Sequence, residues 1–140
     1  MRISSRCDYA CRAILELSLQ WGKKDSLQIQ EISDSQAIPK KYLVQILIQL
    51  KRAGFIKSIR GKKGGYVLNT SPQNISLGEV IRVVSGELLP VAESVSKKTS
   101  VFSGIWKEVE GAITKVVDSV SFEDIASRIK DKEKIIMYQI

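Results

Sequence analysis

The chain has 140 residues, 44% of them hydrophobic, and carries 22 Lys/Arg against 15 Asp/Glu for a net charge of +7. That length suits one compact domain or a small domain with a dimerisation extension, and no apolar run approaches the ~18 residues of a membrane helix. The opening residues scatter charges through what would have to be a long apolar core, so they do not read as a signal peptide, and a soluble, cytoplasmic protein with no membrane partner is expected. With no histidine and only two cysteines, the chain offers no recognisable nucleophile–base pair or metal site, which argues against an enzyme.

The charge is unevenly placed. Residues 1–70 hold 13 Lys/Arg against 5 Asp/Glu, whereas residues 71–140 hold 9 against 10. Eight basic residues and no acidic one lie between Lys40 and Lys63. A polyanion-binding first half joined to a neutral second half is the reading this asymmetry supports.

In chain order, residues 5–21 predict a first helix, capped by Ser4 or Ser5. Ala10, Ile14, Leu17 and Trp21 step along one face of it, flanked by Ala13 and Leu15. Cys7 and Cys11 lie four apart on this helix, a spacing that cannot take disulfide geometry without distortion. They read as small core residues, with a redox or metal role as the alternative. Gly22-Lys23-Lys24-Asp25 is a turn. A second helix is expected to open near Leu27, with Ile29, Ile32 and Ala37 facing inward and Ile38 plugging the angle before the third.

The third helix is expected over Pro39–Ala53. Leu43, Ile46, Leu47 and Leu50 recur at i, i+3, i+4 and i+7, one face of an amphipathic helix. Pro39 suits a first helical position, and Gly54 suits the stop. The other face presents Lys40, Lys41, Gln45 and Gln49, with Lys51 and Arg52 near its end. Phe55–Ile59 and Tyr66–Leu68 then read as two short strands around a glycine-rich basic turn, Arg60 to Gly65. A helix followed directly by a basic-tipped hairpin is the recognition helix and wing of a winged helix-turn-helix. The early turns of such a helix reach base edges in the major groove, where Lys41 and Gln45 can donate to guanine or adenine and Val44 can touch a thymine methyl. Arg60, Lys62 and Lys63 would reach phosphates or the adjacent minor groove, and Gly61 lets the backbone turn tightly there.

Beyond Pro72 the composition shifts, which divides the chain into residues 1–72, for DNA, and 73–140, for dimerisation and regulation. Ser76 and Glu79 have capping-box spacing, starting a helix that ends at Gly86. Leu88 to Ser100 reads as a loop. A long helix follows, from about Ser103 to Ser119. Its stripe of Ile105, Val109, Ala112, Ile113, Val116, Val117 and Val120 is wider than the rest of the chain can cover, so a second copy of this helix is the expected partner. A short helix, Phe122–Ala126, and an apolar tail, Ile135–Ile140, complete the chain; the tail is expected to dock.

The overall expectation is a mainly α protein with a small β-hairpin wing, acting as a homodimeric regulator on double-stranded DNA. A winged helix serving only as a protein adaptor is the rival reading. It fits poorly, because protein interfaces deplete the lysine that crowds this helix and wing.

Several segments resemble one bacterial repressor family, that of IscR, NsrR and CymR: MRISS at the start, DYAxRA at Asp8–Ala13, YLxQxL at Tyr42–Leu47, and IRGxxGGYxL at Ile59–Leu68. The likeness continues through ISLGEVIRVVSG at Ile75–Gly86 and the SFEDIA segment, and so spans essentially the whole chain. The resemblance implies dimeric winged-helix regulators on dyad-symmetric operators, with base-reading positions at Lys41, Val44 and Gln45, and Arg60 and Gly61 in the wing. Tyr42 falls within the same motif. Iron–sulfur-sensing relatives carry glutamate where Val44 stands. Cluster-binding members also place three cysteines in the loop where this chain has none, so no cofactor is expected. The likeness is greatest to the cluster-free cysteine-metabolism branch, which implies a link to cysteine synthase. On that resemblance Tyr138, Gln139 and Ile140 form a candidate partner-binding tail, set against simple packing on its own dimer.

Overall fold

The computed structural model describes residues 2–88 and 100–139. Most of the loop expected between Leu88 and Ser100, and Ile140 of the tail, lie outside the described residues. Helix α1 is Ser5–Leu19, α2 Ile29–Gln36 and α3 Lys40–Arg52. Strands β1, Ile56–Ile59, and β2, Gly65–Leu68, follow; a 3-10 turn at Pro72–Asn74 leads into α4, Leu77–Ser85. Two long helices end the chain, α5 at Val101–Ser119 and α6 at Phe122–Gln139.

Ser4 caps α1, its hydroxyl accepting from the Cys7 amide at 3.1 Å, and Ala10, Ala13, Ile14 and Leu17 are buried along its inner face. Trp21 does not extend that face: α1 has already ended, and the ring is 42% exposed in the turn around Gly22, whose φ is +79°.

The second helix begins later than its pattern suggests. Leu27 is buried but extended, exchanging backbone hydrogen bonds with Tyr66 at 2.9 and 2.7 Å. It therefore adds a one-residue third rung to the hairpin, and α2 starts only after Gln28, whose amide donates to Glu31 Oε1 at 3.5 Å. Ala37 faces outward rather than inward, because it ends α2 in a left-handed conformation with φ +52°. Ile38 fills the helix-turn-helix angle and is 2% exposed.

Helix α3 buries Leu43, Ile46, Leu47 and Leu50, the four residues its period selects. Gly54 follows at φ +87°, letting the chain reverse into β1. The strands are antiparallel, with Ile56 opposite Leu68 and Ile59 opposite Gly65. A Cβ at Gly65 would strike the Leu27 carbonyl, so only glycine admits the third rung.

One core joins Ile14, Ile32, Ile38, Leu43, Leu47, Leu50, Ile56, Leu68, Ile75, Val80 and Phe122. Phe122 brings the start of α6 into the same interior as the helix-turn-helix. A smaller cluster of Cys7, Ile81, Leu88 and Val117 seats α5 on α1 and α4.

The end of the chain departs from expectation. Residues 122–139 form one helix, not a short helix and a docked tail. Ile135, Ile136, Met137 and Tyr138 are exposed, Tyr138 by 91%. Neither Gly nor Pro interrupts this stretch, and opposite charges at Lys130/Glu133 and Asp131/Lys134 recur at a spacing that supports a helix. Among the described residues nothing covers the apolar end.

A candidate nucleic-acid interface

With one face of α3 buried, Lys40, Lys41, Tyr42, Val44, Gln45 and Ile48 are left on the other, all exposed. Lys51 and Arg52 continue that face toward the hairpin. The link is direct, since Lys51 Nζ donates to Ser58 Oγ on β1 at 2.9 Å. Arg60, Gly61, Lys62 and Lys63 are exposed at the hairpin tip. There Gly61 has φ +115°, and its carbonyl accepts from the Gly64 amide at 2.9 Å, which closes the turn. Ser26 Oγ donates to the Lys63 carbonyl at 2.6 Å, tying the tip back to the α1–α2 connection.

Among the described residues the ion pairs are Asp8–Arg12, Lys24–Glu31 and Arg82–Asp118. None uses a cation between Lys40 and Lys63. Among the described residues no carboxylate pairs with these eight cations, the footprint of a polyanion-binding face.

Some supporting contacts were not readable from spacing. The Tyr42 ring lies 6.4 Å from Tyr9 of α1, and Lys41 Nζ sits 5.0 Å over the Tyr42 ring. Arg12 bridges Asp8 at 2.7 Å and donates to the Gln36 carbonyl at 3.2 Å, satisfying an end of α2 beside the helix-turn-helix angle. The DYAxRA motif contains Tyr9 and Arg12, but only the fold shows that they brace α2 and α3.

Gln49 stands apart from the other candidates. Its amide oxygen accepts from Arg6 Nε and Nη2 at 3.2 and 3.0 Å, and its nitrogen donates to the Val83 carbonyl at 3.0 Å. The side chain expected to face DNA is thus engaged between α1 and α4, because its position on α3 lies at the edge of the buried stripe.

The residues expected at a dimer interface also divide. Ile105, Val109, Ala112 and Val116 are exposed, Val116 by 62%. Val117 is buried against its own chain, and Ile113 packs beside it, so these two seat α5 rather than offer themselves to a partner. Val120 is half-buried at the end of the helix. Val101, Phe102 and Trp106 belong to the exposed face as well, with the two rings 6.2 Å apart. The sequence carries the same signal at Val101 and Phe102, one turn before Ile105.

Cys7 is buried and Cys11 half-buried. Burial, then the neighbouring Cys7, pushes the Cys11 thiol up from 9.0 to about 12. A protonated thiol is neither nucleophile nor ligand. Among the described residues no three His, Cys, Asp or Glu side chains converge on a point, and no helix is long and apolar enough to cross a membrane.

A family model described as "Rrf2: Iron-dependent Transcriptional regulator" matches residues 3–128. The HTH-type transcriptional regulator CymR of Bacillus subtilis is 32% identical over 140 residues, covering 100% of both chains. The solved structure of CymR, described as the global cysteine regulator of B. subtilis, superposes with a TM-score of 0.81, covering 91% of this chain and 98% of that one. That of T. potens IscR gives 0.79 at 30% identity, over 96% of this chain and 90% of the other.

The iron in the family's description does not fit these residues. An iron–sulfur cluster needs thiolate or imidazole donors. The whole chain supplies two cysteines and no histidine, and one of the two thiols is held protonated. The described residues keep a winged-helix architecture without such a site, in six α-helices and a two-stranded hairpin. By the span of the family match and by its full-length relative, the chain belongs to the Rrf2 family of winged-helix transcriptional regulators, and it is a DNA-binding regulator of transcription.

Proposed function

We propose that the protein is a homodimeric repressor of a dyad-symmetric operator. One observation carries the reading: the exposed face of α3 and the hairpin hold eight cations, and among the described residues no carboxylate pairs with any of them. Lys41, Val44 and Gln45 read base edges, with Lys40 and Tyr42 beside them. Arg60, Lys62 and Lys63 anchor phosphates or the minor groove, and Gly61 permits close approach. Residues 1–72 make up the DNA-engaging part and 73–140 the part that pairs two copies, through Ile105, Val109, Ala112 and Val116 with Val101, Phe102 and Trp106. The setting is the cytoplasm, and likeness to the global cysteine regulator of B. subtilis supports genes of sulfur metabolism as targets.

Genome-wide footprinting with the purified chain, combined with sedimentation, tests this. The expected result is a palindromic protected site, a dimer in solution, and binding that weakens steeply with salt as counterions are released. A monomer with no footprint at low salt overturns it.

The exposed end of α6 favours a second, additional role for the tail. Ile135, Ile136, Met137 and Tyr138 present apolar surface at the end of a helix. An enzyme of the cysteine synthase type, receiving the final residues Tyr138, Gln139 and Ile140, is the partner this reading names. Pull-down with and without Ile140 decides it; equal capture dismisses the partner.

A further inference from the structure

The helix that faces DNA and the helix offered to a second copy both touch two consecutive residues of α4. From α3, Gln49 Nε2 donates to the Val83 carbonyl at 3.0 Å, while its oxygen is held by Arg6 of α1. Arg82, one residue earlier, reaches the other way. Its Nη1 and Nη2 donate to Asp118 Oδ1 and Oδ2 on α5 at 2.7 and 2.8 Å. A two-pronged guanidinium–carboxylate contact fixes direction as well as distance.

Three features mark this contact as a fixing point. Asp118 lies in the last turn of α5, where the helix dipole disfavours an anion; hydrogen bonds from Arg82 offset that and hold its carboxyl below the usual carboxylate range. Gly78 lies one turn before Arg82, in the first turn of α4. A Cβ there would strike Asp118 Oδ1 and crowd Arg82 Nη1 at 3.0 Å, so the missing side chain is the room the carboxylate occupies. Finally, the far end of α5 is tied to the entry of α4. Leu77 N donates to the Val120 carbonyl at 2.8 Å and Phe122 N to the Ile75 carbonyl at 2.9 Å.

Those backbone bonds make a pivot, and the Arg82–Asp118 fork with the seated Val117 sets the angle at which α5 leaves it. A 19-residue helix is about 28 Å long, so a swing of about 10° moves its free end by about 5 Å. In a two-fold dimer paired through α5, that swing alters the separation of the two recognition helices.

We infer that Gln49, Arg82 and Asp118 are positioning residues that set which half-site spacing the dimer accepts, with α4 as the rigid coupler between α3 and α5. The inference rests on the dimeric, dyad-reading function proposed above. The side chains of the fork are each 40% exposed, and exposed pairs add little to stability. Variants of the fork are therefore expected to fold.

The test uses duplexes that carry the footprinted half-sites at native spacing and with one or two base pairs inserted or removed. Unmodified protein should favour native spacing by about tenfold or more, since a two-fold reader matches two half-sites at a set separation on the duplex. Arg82→Gln, Asp118→Asn and Gly78→Ala should each narrow that preference to under about threefold, with half-site sequence preference and dimerisation unchanged. The double variant Arg82→Gln/Asp118→Asn should be no worse than either single one, because both remove the same link. Gln49→Leu separates two roles: a positioning glutamine alters spacing tolerance, whereas a base-reading one alters sequence preference and overturns its place in the coupler. Variants that keep full spacing preference overturn the inference and leave the DNA-reading function standing. Unmodified protein that is monomeric, or indifferent to spacing, removes that function and the inference together.

Discussion

The regions before Leu88 and after Ser100 treat their apolar residues in opposite ways. In the first, α1 to α4 and the hairpin converge on one interior, where Ile14, Ile32, Leu43 and Leu47 are wholly covered. Its outward face is given to lysine and arginine. In the second, the buried residues described are Val117, Phe122 and Ala126, while Val101, Phe102, Val109, Val116 and the end of α6 face outward. A stretch whose apolar residues meet in a common interior, closed here by Phe122 of α6, is covered within its own chain. One that exposes a continuous apolar stripe is completed by a partner. On the function proposed above, the difference teaches that DNA contact and assembly fall to regions of opposite surface chemistry.

The contrast can be broken most severely at α5. Val109→Glu with Val116→Glu places charge on the exposed stripe; operator affinity should fall on the order of a hundredfold as the second half-site is lost. Gel shift read beside sedimentation shows both losses together. In the helix-turn-helix core, Leu47→Ala removes a wholly buried side chain and should cost about 2–5 kcal/mol of stability, measured by urea unfolding. Gln45→Ala should lose about 1–3 kcal/mol of discrimination at one base position, visible when operators varied at each position are compared. Lys62→Ala should weaken all sequences alike and reduce the log–log salt slope by about 1. A separate effect concerns Cys11. Its folded-state value lies above the unfolded one, so stability owed to this thiol is complete below pH 9.0 and is lost as pH rises toward 12. Denaturation midpoints across that window test the direction, and alkylation of Cys11 at neutral pH should be slow until the chain unfolds.

Local periodicity made the recognition helix and hairpin legible. The buried set of α3 is the set its spacing selects, and Gly54 and Gly61 take the positive φ their turns need. What escaped was non-local. Leu27 looks like the start of a helix, yet its backbone pairs with Tyr66 far along the chain, and no window of sequence contains both. Gln49 sits on the polar side of its helix by pattern, but Arg6 and Val83 meet it only after folding. The length of α6 is hidden for another reason. Its apolar end suggests docking, although the charged residues before it contain nothing that stops a helix.

The projecting half of α6 has a practical consequence. Lys130, Lys132 and Lys134 lie on or beside its exposed portion, which places trypsin sites where a helix without neighbours can fray. Cleavage there would remove the residues after Lys130, Lys132 or Lys134 and spare the covered core. The rate of that trimming therefore becomes a gauge of whether anything has settled on the end of the molecule.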